Sequence, residues 1–335
     1  MSGKMRLAVT ALAGAAIALA ALTLVSRISP ISNLFGVLMA SASPFAPFVA
    51  LAGLLLSALS RRTSLTIIAV LVITVTAAVQ IPRYSFIRPA ATQFADVRVL
   101  SSNLRKGQAD PNAFAMLAQS SADILTVSEL TPEAMEGFSH TVIDEAFPYS
   151  VLNPGPGAGG IGLWSRYPLT AVSPGAQRSL NLAAARVHVP GVRLAPLVAS
   201  IHVYSPLASQ QDTVDGWEAS IANAKTTLNE FAAVAGSGAV IVAGDFNTTS
   251  DMQQFRNLLS NGYRDAADQA GAGFIPTFPA DTWLPPALDI DHVVARGATA
   301  TSMHAATVVG SDHRALLAKV RIPTVAQPVS QISSY

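Results

Sequence analysis

The run Ala239-Val-Ile-Val-Ala-Gly-Asp-Phe-Asn-Thr248 decides how this chain is read. Five small or β-branched apolar residues bounded by Gly244 have the pattern of a strand covered on both faces. The run delivers Asp245 and Asn247 at its end. Side chains on extended backbone repeat every two residues, so both would point to one side. The competing reading is a strand closed by an ordinary Asp/Asn turn. Matching groups on other strands would separate the two.

Such groups are present. Residues 97–102 read as a strand ending at Asn103, and 123–127 as one ending near Glu129. A strand over 197–203 carries His202, and one around 290–294 carries Asp291. Asp312 and His313 precede a last strand at 315–320. Residues 111–119 read as a helix, with Asp110 as its cap and Pro111 at its first position. Further helices are expected over 215–235 and near 252–260, and a strand over 159–164, next to the Gly/Pro-rich turn region 153–160. Roughly 225 residues of mixed strands and helices make one α/β domain over 95–321 with its own core. Residues 322–335 read as a loose polar tail.

Half of the 335 residues are hydrophobic, only 12% are charged, and the mean hydropathy is +0.41. The apolar excess is concentrated. Residues 1–95 hold no Asp or Glu and 7 of the 21 Lys and Arg, so all 20 acids and the other 14 bases follow. The formal charge is therefore +7 before Asp96 and 14 − 20 = −6 after it. Cysteine is absent, which excludes disulfide and thiolate chemistry and leaves oxygen or imidazole to hold any metal.

Uncharged runs at 7–26, 28–60 and 63–82 are each about long enough to cross a bilayer. No polar face interrupts them, which argues against a soluble bundle. Three transmembrane helices are expected in a membrane domain over 1–90, the second within roughly 34–58. A cleaved signal peptide is the competing reading of the first run. Lys4, Arg6, Arg61 and Arg62 lie at one set of span ends, and Arg27, Arg83 and Arg88 at the other. The bias toward cytoplasmic basic residues predicts a multi-pass cell-membrane protein with an extracytoplasmic C-terminal domain.

The segments Val-Leu-Ser-Ser-Asn103, Ala-Asp-Ile-Leu-Thr-Val-Ser-Glu129, Gly-Leu-Trp-Ser-Arg-Tyr-Pro168, Ser-Ile-His202, Gly-Asp-Phe-Asn247, Ile-Asp-His292 and Ser-Asp-His313 stand in that order. Together they resemble the endonuclease/exonuclease/phosphatase family of metal-dependent phosphoesterases, which includes DNase I. The resemblance covers about residues 96–321. It implies a four-layered α/β sandwich, two mainly antiparallel sheets face to face with helices outside. It also implies a site. Glu129 would be the main metal ligand, with Asn103 and Asp312 supporting the ion or its water, and the ion would be Mg²⁺ or Mn²⁺. Asp245 would orient or deprotonate the attacking water, and Asn247 would donate to the phosphate. Asp291 would orient His313 against a phosphoryl oxygen, with His202 as a second imidazole donor.

Two positions depart from the family pattern: Arg105 stands where the abasic-site nucleases have an acid, and Ser128 stands where Gln usually precedes the Glu. Asp289 and His292 read equally as ordinary turn or strand residues or as ligands and are left out of the site, Asp251 reads as a helix cap, and Trp164 and Tyr204 as core. The expected activity is hydrolysis of a phosphoester, in nucleic acid or in a lipid or small phosphorylated molecule, beside a lipid bilayer. No protein partner is identifiable. The alternative is a non-catalytic membrane protein that binds an envelope component on the same scaffold.

Overall fold

A computed structural model describes residues 2–86, 93–172, 180–207 and 213–325. The acid-free part forms four α-helices: α1 (Gly3–Ile28), α2 (Leu34–Ser41), α3 (Ala46–Leu59) and α4 (Thr63–Ala78). Helix α3 packs against both α1 and α4, and Arg6 Nε donates to Ser60 O (2.8 Å), tying the start of α1 to the end of α3. Large apolar side chains point outward along all four helices, among them Leu7, Leu55 and Leu71 at 67%, 63% and 60% exposure.

The expectation of three full-length spans needs correction. Among the described residues, only α1 is a continuous helix long and apolar enough to cross a membrane. The second apolar run is broken, with α2 and the following helical stretch bent by 41° around Pro44 and Pro47, which cannot continue a regular hydrogen-bond ladder. Its first part is directed to the other half of the chain: Ile31, Val37 and Ala40 join the buried cluster of Phe255 and Leu258, and Gln254 Nε2 donates to Ile31 O (3.0 Å). Helix α4 has 16 residues, about 24 Å at 1.5 Å per residue, short of a hydrocarbon core of about 30 Å.

From Phe94 onward the alternation of side chains in strands sorts the chain into layers. In chain order, β1 (Phe94–Asn103), β2 (Ile124–Ser128), β3 (Tyr149–Asn153) and β4 (Ile161–Ser165) build one sheet. Then β5 (Leu169–Ala171), β6 (Asn181–Val187), β7 (Leu197–His202), β8 (Val240–Asp245), β9 (Arg264–Asp265) and β10 (Asp291–Arg296) build a second. The chain returns to the first sheet with β11 (Thr299–Thr307) and β12 (Arg314–Pro323). The strand orders are β11-β12-β1-β2-β4-β3 and β5-β6-β7-β8-β10-β9. Each sheet has one parallel pair, β1 with β2 and β7 with β8, among otherwise antiparallel neighbours.

In β8, Ile241 and Ala243 face the other sheet, while Val240 and Val242 face outward onto the long helix over 213–235. The layer between the sheets also takes Val99, Leu163, Ala185, Val293 and Leu316. Outside the first sheet lie α5 (Pro111–Ser121), α6 (Pro132–Ser139) and α7 (Ile143–Ala146), covering Leu100 and Leu125. Outside the second lie α8 (Thr213–Ala235) and α9 (Gln253–Leu258), and α10 (Ala266–Ala270) packs beside β10 and β11. The architecture is a two-sheet sandwich flanked by helices. Asp110 caps α5 as expected, accepting from Ala113 N (2.8 Å). Trp164 is core, whereas Tyr204 is 44% exposed. Most of the tail falls outside the described residues, although β12 continues to Pro323.

Candidate active site

The pairing register assembles one half of the site. His202 on β7 lies opposite Asp245 on β8, and Asp245 lies opposite Asp291 on β10, so three neighbouring strands present them in a row. Gly244 makes this possible. Its φ is +152°, and a Cβ there would stand 1.8 Å from Ile201 O, so only glycine lets β7 approach this closely.

The first sheet supplies the other half. Asn103 ends β1, opposite Ser128 on the parallel β2, and Glu129 follows with φ +58°. Asn103 Nδ2 donates to Asp245 Oδ2 (3.0 Å) and to Glu129 Oε1 (3.3 Å), joining the strand ends of the two sheets. Lys106 N donates to Glu129 Oε2 (2.6 Å) and Arg105 N to Asn103 Oδ1 (2.8 Å). Arg105, Lys106, Glu129 and Asn247 all have φ between +46° and +58°. Such values are uncommon for non-glycine residues, and such strain collects at functional sites.

His313 sits just before β12. Its Nδ1 is 2.8 Å from Asp291 Oδ2, its Nε2 is 3.8 Å from Asp245 Oδ2, and its backbone N donates to Ser311 Oγ (3.0 Å). Ser311 Oγ in turn donates to Asn103 O (2.8 Å). The Phe278 ring packs 4.8 Å from the imidazole. His202 Nδ1 lies 3.2 Å from Ala158 O, leaving Nε2 facing Asp245 (3.7 Å), Glu129 (3.9 Å) and Asn247 Nδ2 (3.4 Å). Asn247 N donates to Asp245 Oδ1 (2.8 Å), and its side-chain amide donates to Val203 O (2.9 Å), which commits one of its two N–H groups.

Burial sets the electrostatics, since removal from water disfavours whichever form is charged. Burial, and next the nearby Asp291, push the Asp245 carboxyl up to about 6, against the opposing pull of His313 and His202. Burial alone would lower His313, but the ion pair and hydrogen bond with Asp291, helped by Asp245 and Asp312, outweigh it and raise the imidazole to about 10.

The structure therefore brings Asn103, Glu129, His202, Asp245, Asn247, Asp291 and His313 together. Asp312 stands apart: its side chain is 28% exposed and faces Arg105 (3.9 Å), which also pairs with Asp281 (2.8 Å). Among the described residues, the carboxylate and imidazole group that could hold an ion is Asp245, Asp291 and His313, whose ligand atoms lie within 4.8 Å of one another. Asp291 Oδ1 is buried without a hydrogen-bond partner. A lone pair left open in this way, beside Asp245 and with Glu129 and Asn103 across the site, suits a hard divalent cation with oxygen ligands.

Several supports carry no signal of their own in the sequence. Ser311 bridges His313 and Asn103 although its place in Ser-Asp-His suggests no role. His292, a strand residue of β10, is buried with Nδ1 2.7 Å from Asp265 and Nε2 2.9 Å from Thr248 O, stacked on Phe255. Both nitrogens face acceptors, and although burial lowers its pKa, the bond to Asp265 outweighs this and raises it. Asp251 is not a cap, since α9 starts after Met252; it is fully buried and paired with Arg27 and Arg83 (3.2 Å to Arg83). Ser128 keeps a buried hydroxyl without a partner.

A profile described as the Endonuclease/Exonuclease/phosphatase family matches residues 100–313. No curated protein matches the sequence. Among solved structures, the chain is similar to a humanized Danio rerio TDP2 carrying 14 mutations (TM-score 0.53, 16% identity, 67% of this chain and 98% of that one). It is also similar to an endonuclease/exonuclease/phosphatase from Bacteroides vulgatus (0.51, 18%, 68% and 99%). A third similar structure is the 3′ phosphatase NExo from Neisseria, as a point variant bound to product DNA hairpin (0.50, 16%, 66% and 98%). At these identities the likeness speaks for the fold.

Proposed function

Given that this chain belongs to the Endonuclease/Exonuclease/phosphatase family, we propose that it is a membrane-anchored, divalent-metal-dependent phosphoester hydrolase. Phosphoester hydrolysis is the chemistry of the family. The observation that carries the reading is the 3.0 Å bond from Asn103 to Asp245, which joins the strand ends of two sheets and gathers Glu129, His202, Asp291 and His313 around one point. A turn residue would need no such company.

The residues divide the work. Asp245, with its carboxyl near 6, takes a proton from an attacking water close to neutral pH. Asp291 holds the His313 ring through Nδ1, so that Nε2 offers its proton to a phosphoryl oxygen where charge develops. His202 Nε2, on the Glu129 side of Asp245, is the second imidazole facing the point where the phosphoryl group would sit. Asn103 orients both acids, and the remaining N–H of Asn247 serves the phosphate. Glu129 and Asn103, with Asp291, would hold Mg²⁺ or Mn²⁺, which when bound supplies charge neutralisation at the phosphoryl group. Asp312 would act through Arg105 and through its field on His313.

The apolar bundle is proposed as the anchor, with α1 as its spanning helix. The outward-facing leucines support this, being suited to lipid. Arg27 and Arg83 are paired with Asp251 and Asp289, while Lys4, Arg6, Arg61 and Arg62 gather at the opposite end of α1 and α3, where no acid is near in sequence. The resulting charge asymmetry favours that end as cytoplasmic and the sandwich as extracytoplasmic.

For the substrate, the solved relatives include one bound to a DNA hairpin and a Danio rerio TDP2 with single-strand DNA product, which supports a nucleic-acid ester. The −6 charge of the domain and its seat at a bilayer support a lipid or small phosphate ester. The full chain in nanodiscs, given DNA with a 3′-phosphate, phospholipid and inositol phosphates, is expected to turn over one class with Mg²⁺ and none with chelator. Intact protein that turns over none of them would overturn the hydrolase reading in favour of a non-catalytic binder.

A further inference from the structure

The chain on either side of two site carboxylates leads to a single guanidinium. Seven residues, 245–251, run from Asp245 past Asn247 to Ser250 and Asp251. Arg83 lies in the short 3-10 turn Ile81–Tyr84 that joins the apolar bundle to the sandwich, and it is 6% exposed. Its Nη2 donates to Ser250 Oγ (2.6 Å) and lies 3.2 Å from Asp251 Oδ2, while its Nη1 is 3.9 Å from Asp289 Oδ2. Ser250 Oγ itself donates to Asp289. Arg83 thus touches the chain just after Asn247 and just before Asp291.

The grip is continuous with the site. Between Asn247 and Ser250, Thr248 O accepts from His292 Nε2 (2.9 Å), the residue directly after Asp291, and Trp217 Nε1 donates to Asn247 O (3.0 Å). Thr248 and Thr249 are 0% and 1% exposed, so the segment has no slack toward solvent. From the bundle side, Arg83 O accepts from Gly273 N (2.9 Å), and Gln80 Nε2 reaches Asp251 (3.4 Å). The guanidinium is held by its own backbone as well as by its partners. With one hydrogen bond, to Ser250 Oγ, and ion pairs to Asp251 and Asp289, the guanidinium ties two segments together.

We propose that Arg83 is a positioning residue for the hydrolytic site, setting the spacing of Asp245 and Asp291 by gripping the chain after one and before the other. The inference rests on the hydrolase reading above. It makes the junction of the anchor part of the catalytic unit rather than a tether. Asp245 and Asp291 are like charges at the ends of the paired strands β8 and β10, where the ladder stops, and Arg83 holds the chain just beyond both ends. A misplacement of about 1 Å at such a site costs roughly 100-fold in rate.

The test uses the full chain in nanodiscs, Mg²⁺ and bis(p-nitrophenyl) phosphate as the probe, with Arg83→Gln, Arg83→Lys and, as a control for lost stability alone, Phe114→Leu in the remote α5 layer. For Arg83→Gln, kcat is expected to fall about 10- to 100-fold with KM within about twofold, and amide hydrogen exchange over 245–251 and 289–291 to accelerate. Arg83→Lys should recover part of kcat. Phe114→Leu should lower Tm and leave kcat near the parent value. A kcat for Arg83→Gln within about twofold of the parent, or a loss no larger than that of Phe114→Leu at equal Tm, overturns the positioning role while leaving the hydrolase intact. A parent chain that is folded but inert on this probe and on the wider substrate panel removes the hydrolase reading, and this inference with it.

Discussion

In the apolar bundle Leu55 and Leu71 are 63% and 60% exposed, whereas in the sandwich Leu100 and Leu125 are fully buried. The same side chain is turned outward in one half and inward in the other. The sandwich satisfies itself, with three apolar layers closed between sheets and helices. Among the described residues the bundle has a small buried cluster around Ala20, Ala46 and Ala50, with small residues letting helices approach, and its large side chains face outward. Where the halves meet, neither solution holds. There the chain buries Arg83 and Asp251 and half-buries Arg27 beside them, the arrangement that lets charge leave water.

The largest effect that would separate the halves is chemical. Asp245→Asn keeps the side-chain volume but removes the proton acceptor, so turnover is expected to fall by about 10²–10⁴ while Tm changes little. Steady-state kinetics beside a thermal melt check this, and collapse of the fold would place Asp245 among structural residues. The same group gives a sign for stability. Its folded pKa of about 6 lies above the ordinary carboxylate value, so its contribution is present at low pH and is lost as pH rises through about 6. Asp245→Asn should therefore compare better with the parent at pH 8 than at pH 5.

Next in size is packing. Leu125→Ala is expected to cost about 2–5 kcal/mol, measured by denaturant unfolding of the sandwich. Leu55→Ala, an outward-facing change on α3, should stay within about 0.5 kcal/mol in the same assay. Equal costs would mean that the bundle hides Leu55 in a protein interface. Smaller still is the dependence of rate on pH: kcat/KM should climb about tenfold per unit up to about 6 and then level, with His313 keeping its proton until about 10. A profile already flat below pH 5 would remove Asp245 as the base. Smallest is Ser128→Ala. The hydroxyl is buried without a partner, so its loss should change stability by no more than about 0.5 kcal/mol and activity hardly at all.

The strands that carry the site were legible because each pairs a β-branched run with an abrupt polar end, as at Asn103, Glu129 and Asp245. β11 was not, since Thr299–Thr307 has no apolar run and pairs on one side only, with β12. Apolar length was legible in residues 1–90, but what the apolar residues would touch was not. Val37 and Leu38 look alike in sequence, yet one is buried in the cluster shared with Phe255 and the other is 51% exposed. Asp251 reads as a cap for the same reason. A carboxylate after Thr-Thr-Ser resembles a cap until an arginine from 168 residues earlier is found beside it.

The seating of α2 has one more consequence. Ile31, Phe45 and Arg83 each touch the sandwich, at Gln254, Phe274 and Asp251. A body resting on three separated points cannot rock. With the bundle as the proposed anchor, the working end would stay at one height above the bilayer, and the encounter rate would follow how many esters are presented at that height rather than their concentration in the surrounding fluid.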